Sequence, residues 1–161
     1  MKGAILDKGE KHYTYMSRVF SAIHNVQKDY NWLITYVEAY PANKQIAERL
    51  TLDCVWMTGY ALTDIVSQED FQWIWAVLSG FPQSITEEQA MQYSLPYAEG
   101  NKGFWKNPIT IQHPLAEIEI VPWDSSLVLV ISKNPKIVHD FLASMPLAED
   151  LETYNSRTKE C

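Results

Sequence analysis

Residues 71–82 read FQWIWAVLSGFP, the most aromatic and apolar run of the chain. Residues 30–41, YNWLITYVEAYP, align with it without a gap at an offset of 41 positions. Tyr30 falls under Phe71, Trp32 under Trp73, Leu33 under Ile74, Val37 under Leu78, Tyr40 under Phe81 and Pro41 under Pro82. Both runs are too short to cross a bilayer as helices and are rich in strand-forming residues. They predict two central strands, each closed by an aromatic–Pro pair. Trp73, Trp75, Val77 and Leu78 are expected to be buried in one, and Trp32, Ile34 and Val37 in the other. Successive strand residues point to opposite faces, so burying whole runs requires cover on both sides or one face at an interface. An internal duplication would produce this match, and so would two buried strands drawn from one small residue alphabet; the segments that follow diverge.

Upstream, residues 2–6 form a short apolar run ended by Asp7-Lys8-Gly9, an expected edge strand. Met16, Phe20, Ile23 and Val26 recur at helical spacing and predict a helix over 13–27. Between the aromatic runs, Asn43 is placed to cap a helix over 43–50. A short buried strand over 54–57 and a helix over 60–67 follow. Downstream, Thr86-Glu87-Glu88-Gln89 is a capping box. Residues 95–115 are the least regular part, broken by Pro96, Gly100, Gly103, Pro108 and Pro114, with a brief strand expected at Ile109-Thr110-Ile111. Structureless segments of this length are functional or mobile in most compact domains.

Residues 116–121 alternate, which places Glu117 and Glu119 outward and Ile118 and Ile120 inward. A turn at 122–125 returns the chain into 127–131, apolar throughout and therefore covered on both faces. Asn134-Pro135 opens another helix. Leu147, Leu151 and Tyr154 mark a last short helix, and residues 155–161 read as a frayed polar tail. These elements predict an α+β fold: one domain over 1–161, with an antiparallel or mixed sheet and helices on at least one face.

The 161 residues are 47% hydrophobic and 20% charged, with a net charge of −7. That balance argues against nucleic-acid and anionic-membrane partners, which need a basic surface. It permits a basic protein partner, a cationic ligand or a metal, and it also serves solubility alone. Cys54 sits in an apolar run and Cys161 is the final residue, so no disulfide framework is expected and the thiols suit a reducing compartment. No run of about 18 apolar residues and no signal-peptide pattern occurs, and a cytoplasmic location is expected.

Gly-rich phosphate loops, dinucleotide fingerprints and GxSxG elbows are absent from the sequence. His12, His24, His113 and His139 form no HxH or HExxH pair, so neither a metal nor a cofactor is expected. His24 reads as a half-buried structural residue and Cys54 as a small buried core thiol. The irregular segment concentrates Tyr97, Phe104, Trp105 and His113, the expected binding residues. Aromatic side chains on such a loop serve either as partner anchors or as a plug for the core. Asp124 suits a turn.

The stretches Tyr30-Asn31-Trp32, Phe104-Trp105-Lys106-Asn107-Pro108 and Pro122-Trp123-Asp124-Ser125-Ser126 resemble small acidic proteins of spore-forming Gram-positive bacteria. Those proteins form families known only as domains of unknown function, and the resemblance implies no activity and no site residues. Size, acidity and the lack of a catalytic motif are also similar in style to immunity proteins that neutralise bacterial toxins. The resulting expectation is a non-catalytic module that binds another protein. The alternative is a small-molecule pocket protein or enzyme using His113 with Glu99 or Asp124. Self-association through open strand edges is a third expectation.

Overall fold

The two aromatic runs lie side by side as the second and third strands of one seven-stranded sheet, inside it but off its centre. The computed structural model describes residues 1–158. Its strands are β1 (Lys2–Leu6), β2 (Asn31–Ala39), β3 (Cys54–Thr58), β4 (Trp73–Phe81), β5 (Ile118–Trp123), β6 (Leu127–Ser132) and β7 (Glu149–Asp150). They join in the order β3-β2-β4-β5-β6-β1-β7, with every pairing antiparallel. The helices are α1 (Met16–Ala22), α2 (Lys44–Leu50), α3 (Gly59–Gln68), α4 (Glu87–Ala90), α5 (Pro135–Ser144) and α6 (Leu151–Thr158). The fold class is α+β, and none of the helices is long and apolar enough to cross a membrane among the described residues.

Side-chain alternation splits the sheet into two apolar faces. Trp32, Ile34, Trp73, Leu78, Ile118, Ile120, Val128 and Val130 point to the first face. There they meet Met16 and Phe20 of α1, Leu62 and Ile65 of α3, and Ile137 and Phe141 of α5. Leu33, Val77, Phe81, Val121, Leu129 and Ile131 point to the second, beneath residues 90–116 and Leu151 of α6. Gly80 lies opposite Trp32 in the β2–β4 ladder. A Cβ there would run into Ile118 and stand 3.1 Å from Cη2 of Trp32. The glycine leaves room for the indole.

Local chemistry fixes the helix starts. Asn43 accepts from the N–H groups of Gln45 and Ile46, Thr58 from Ala61, and Asn134 from Lys136 with Pro135 at the first turn. The capping box of Thr86 and Gln89 forms with both of its bonds. Each satisfies N–H groups that a helix start leaves open.

Several expectations are corrected. The first helix stops at Ala22, because His24 and Asn25 adopt left-handed backbone with φ of 56° and 59°. His24 is exposed, 3.5 Å from Asp140. Cys54 is half-buried, since it lies on β3 at the edge of the sheet. No strand forms at Ile109–Ile111. Residues 155–158 belong to α6, and Asn155 is buried with its amide donating to the Phe104 carbonyl at 3.0 Å. Cys161 lies outside the described residues. Glu119 faces inward and is fully buried, because the sheet is covered on both faces.

β2 contains an extra residue. Thr35 pairs with Val77 but Glu38 pairs with Trp75, so three steps on β2 match two on β4, and the excess is returned at once on β4, where Trp75 to Trp73 matches the single step from Glu38 to Ala39. First-face positions accordingly switch from even numbers (Trp32, Ile34) to odd ones (Val37, Ala39). Tyr36 takes up the difference with φ of 49°, its N–H donating to the Asp53 carbonyl at 2.9 Å. Such a bulge bends the strand and re-aims its side chains.

Candidate functional site

The irregular segment lacks a ladder, so its backbone polar groups need other partners. Side chains supply them. Thr35 Oγ1 donates to the Pro96 carbonyl at 2.7 Å, and Gln112 Oε1 accepts from the Tyr97 N–H at 3.0 Å. Glu119 Oε2 accepts from the Gln112 N–H at 3.2 Å. The segment is thereby fastened across β2, β4 and β5 as the cover of the second face.

This cover places the four expected binding residues in different environments. Phe104 is buried and packs on Trp123, with ring centroids 5.9 Å apart. His113 is buried edge-on against Phe81 at 4.7 Å. Both are core residues, unavailable as surface contacts, because the loop folds back over the sheet. Trp105 is half-buried and Tyr97 is 50% exposed.

The ring nitrogens of His113 are both engaged. Nδ1 accepts from the Leu115 N–H at 3.1 Å, which leaves Nε2–H to donate to the Ala90 carbonyl at 2.9 Å. Burial pushes the imidazole below its ordinary pKa, against the carbonyl bond that favours protonation. It sits against Phe81, at one end of β4. Asp124 is in the hairpin turn whose Ser125 N–H donates to Ile74 at the other end. Seven residue steps along the strand, from Ile74 to Phe81, separate the two ends, roughly 23 Å. The Asp124 version of the catalytic pair is not assembled. Glu99 borders the same far end of β4, beside Trp75.

At that far end the rings form a row. Trp75 meets Trp123 at 4.8 Å, Trp123 meets Trp105 at 5.0 Å, and Trp105 meets Tyr154 at 6.3 Å. All four are half-buried. The guanidinium of Arg157 lies 5.9 Å from the Tyr154 ring centre. At the Trp75 end the row opens into a cleft of about 300 Å³ lined by Tyr36, Glu38, Trp75, Tyr97, Ala98 and Glu99. The β2 bulge supplies Tyr36 and Glu38 to one wall, and the cover supplies Tyr97 and Glu99. Of these, sequence reasoning named Tyr97 as a binding residue. Tyr36, Glu38 and Trp75 were missed as such, although the parity switch of the apolar positions after Ile34 carries the signal of the bulge.

Glu119 is a second unusual group. It lies directly across from Ser79 in the β4–β5 ladder. Its Oε1, Ser79 Oγ and Gln112 Nε2 are all buried without a hydrogen-bond partner. Burial pushes the carboxyl up to about 8, opposed by the Gln112 N–H. Burial thus favours the neutral form of the side chain. No group of three or more His, Cys, Asp or Glu side chains that could hold a metal ion occurs among the described residues. No family model, curated protein or solved structure matches the chain.

Proposed function

We propose that this is a non-catalytic domain that binds a basic protein partner through the rim of its second face. The observation that carries this reading is the row Trp75–Trp123–Trp105–Tyr154. Four neighbouring half-buried rings present apolar area and rigid shape at low entropic cost, the composition of interface anchors. A net charge of −7 favours a partner of opposite sign and speeds its encounter. A cytoplasmic bacterial protein similar in style to immunity proteins fits this reading. The paired ring nitrogens of His113 weigh against the catalytic alternative.

The test is capture of a basic protein from lysate of the source organism, at low and at high salt. Wild-type protein is expected to retain a basic partner that is released as screening shortens to a few ångströms near 1 M salt. Trp105→Ala is expected to lose it while keeping a cooperative thermal transition. Tyr97→Ala, at an exposed position, is expected to weaken it without a stability loss. Salt-insensitive capture, or equal capture by both variants, overturns the reading.

A further inference from the structure

We infer that the cleft between the β2 bulge and the cover takes the guanidinium of an arginine side chain, supplied by a protein partner. The inference rests on the protein-binding reading and names the chemistry recognised at one end of the aromatic row. Three of the six lining residues are aromatic and two are glutamates. A cation over an aromatic face is attracted by the ring quadrupole, and flat rings suit a flat cation. The carboxylates come from different elements, Glu38 from β2 and Glu99 from the cover. A guanidinium presents N–H donors in a planar fork, whereas an ammonium is a compact, strongly hydrated point charge.

Neither glutamate is committed within the fold. Glu38 receives one contact at the limit of hydrogen bonding, 3.5 Å from the Tyr40 hydroxyl. Glu99 makes no hydrogen bond or ion pair among the described residues. Glu10, Asp140 and Glu149 are held in ion pairs, with Arg18, with Lys136, and with Arg157 and Lys8; the two cleft carboxylates, like most others on the surface, are not among the described residues. The cleft thus holds two unneutralised carboxylates beside three rings. Its volume of about 300 Å³ lies at the lower end of ligand pockets, room for one long side chain.

The geometry of the wall reinforces this. Tyr36 holds a left-handed backbone, which is unfavourable for a bulky side chain. The bulge also keeps Glu38 on the second face while Val37 and Ala39 pack on the first. A regular strand would exchange these positions.

The experiment titrates the full chain with three capped tripeptides, Gly-Arg-Gly, Gly-Lys-Gly and Gly-citrulline-Gly, and follows the Trp75 indole N–H by NMR. The arginine peptide is expected to give a saturable shift. Lysine is expected to bind at least several-fold more weakly, and citrulline, the neutral isostere, to give none. The Glu38→Gln/Glu99→Gln double variant, altered at two exposed positions, is expected to lose about tenfold or more of the arginine affinity with its thermal midpoint unchanged. Absence of a saturable arginine shift, equal binding of lysine or citrulline, or full affinity in the double variant each overturns the inference. Salt-sensitive partner capture lost in Trp105→Ala but retained in the double variant keeps the protein-binding reading and rejects the arginine cleft.

Discussion

The backbone N–H of Gln112 donates to Oε2 of Glu119 across 3.2 Å, joining the irregular cover to the middle of the sheet. The bond favours ionisation of the carboxyl, but burial wins and the pKa rises from 4.5 to about 8. Below pH 4.5 the group is protonated in both folded and unfolded chains. Between 4.5 and 8 the unfolded chain releases the proton and the folded one keeps it. Stability therefore falls as pH rises through this window and levels off above 8, by an amount on the order of 4–5 kcal/mol. Glu119→Gln keeps an acceptor for Gln112 and removes the titration. Urea midpoints at pH 5, 7 and 9 are expected to fall in the wild type relative to the variant, with the gap widest at pH 9. Parallel curves would show that Glu119 does not carry the proton.

His113 acts with the opposite sign. Its folded pKa is lowered, so its contribution is complete above its unfolded value near 6.5 and is lost as pH falls below it. Protonation would oppose the Leu115 N–H to a ring nitrogen that is no longer an acceptor. His113→Asn retains an acceptor near Nδ1, drops the bond to Ala90 and leaves a small void, at a cost of about 2 kcal/mol. Its stability curve is expected to lack the wild type's fall below pH 6.5. An unchanged fall would assign that limb to other groups.

Gly80 is expected to be intolerant of even one methyl group. Ile118 and the Trp32 ring occupy the space that its Cβ would need, and both are buried in the first-face core. Gly80→Ala should destabilise by about 1–3 kcal/mol through overpacking. Denaturant unfolding checks this: the midpoint should fall with an unchanged slope. A neutral substitution would mean that the Trp32 ring has another place to go.

Tyr36 is expected to show stability and binding pulling apart. Its φ of 49° suits glycine, and the left-handed region costs other residues about 1–2 kcal/mol. Tyr36→Gly should therefore exceed Tyr36→Ala in stability by about that amount, while both lose the ring from the cleft wall. Thermal midpoints of the pair measure the strain. Equal midpoints would show that the bulge relaxes without cost.

Much of the sheet was legible because its signals are local. Trp32 and Trp73 lie in continuous apolar runs, and both strands form within two residues of the expected bounds. Asn43, Thr86 and Asn134 cap where their side chains can reach. The cover was legible only as irregular chain. Its docking depends on contacts between distant residues, such as Thr35 with Pro96 and Phe104 with Asn155, which no periodicity encodes. Glu119 misled for a physical reason. Alternation assigns a carboxylate to water, but a neutral carboxyl can be enclosed. The apolar run of β6 already implied a second cover, and that implication applied equally to its neighbour β5. The cleft was the hardest part, since it needs the bulge at Tyr36 and the cover together.

The position of β1 carries a consequence for how the chain acquires its structure during synthesis. β1 is held between β6 and β7, so Lys2–Leu6 pair with partners near 128–132 and 149–150. A ribosome that has delivered the first hundred residues has released β2, β3 and β4, which can pair among themselves, but neither strand that holds β1. Ala4, Ile5 and Leu6 must wait unpaired until the last fifth of the sequence emerges. Long-range closure of this kind is slow because the loop entropy is lost before the contacts form. The nascent domain thus passes through an interval with a bare apolar strand, the period in which a chaperone would have most to bind.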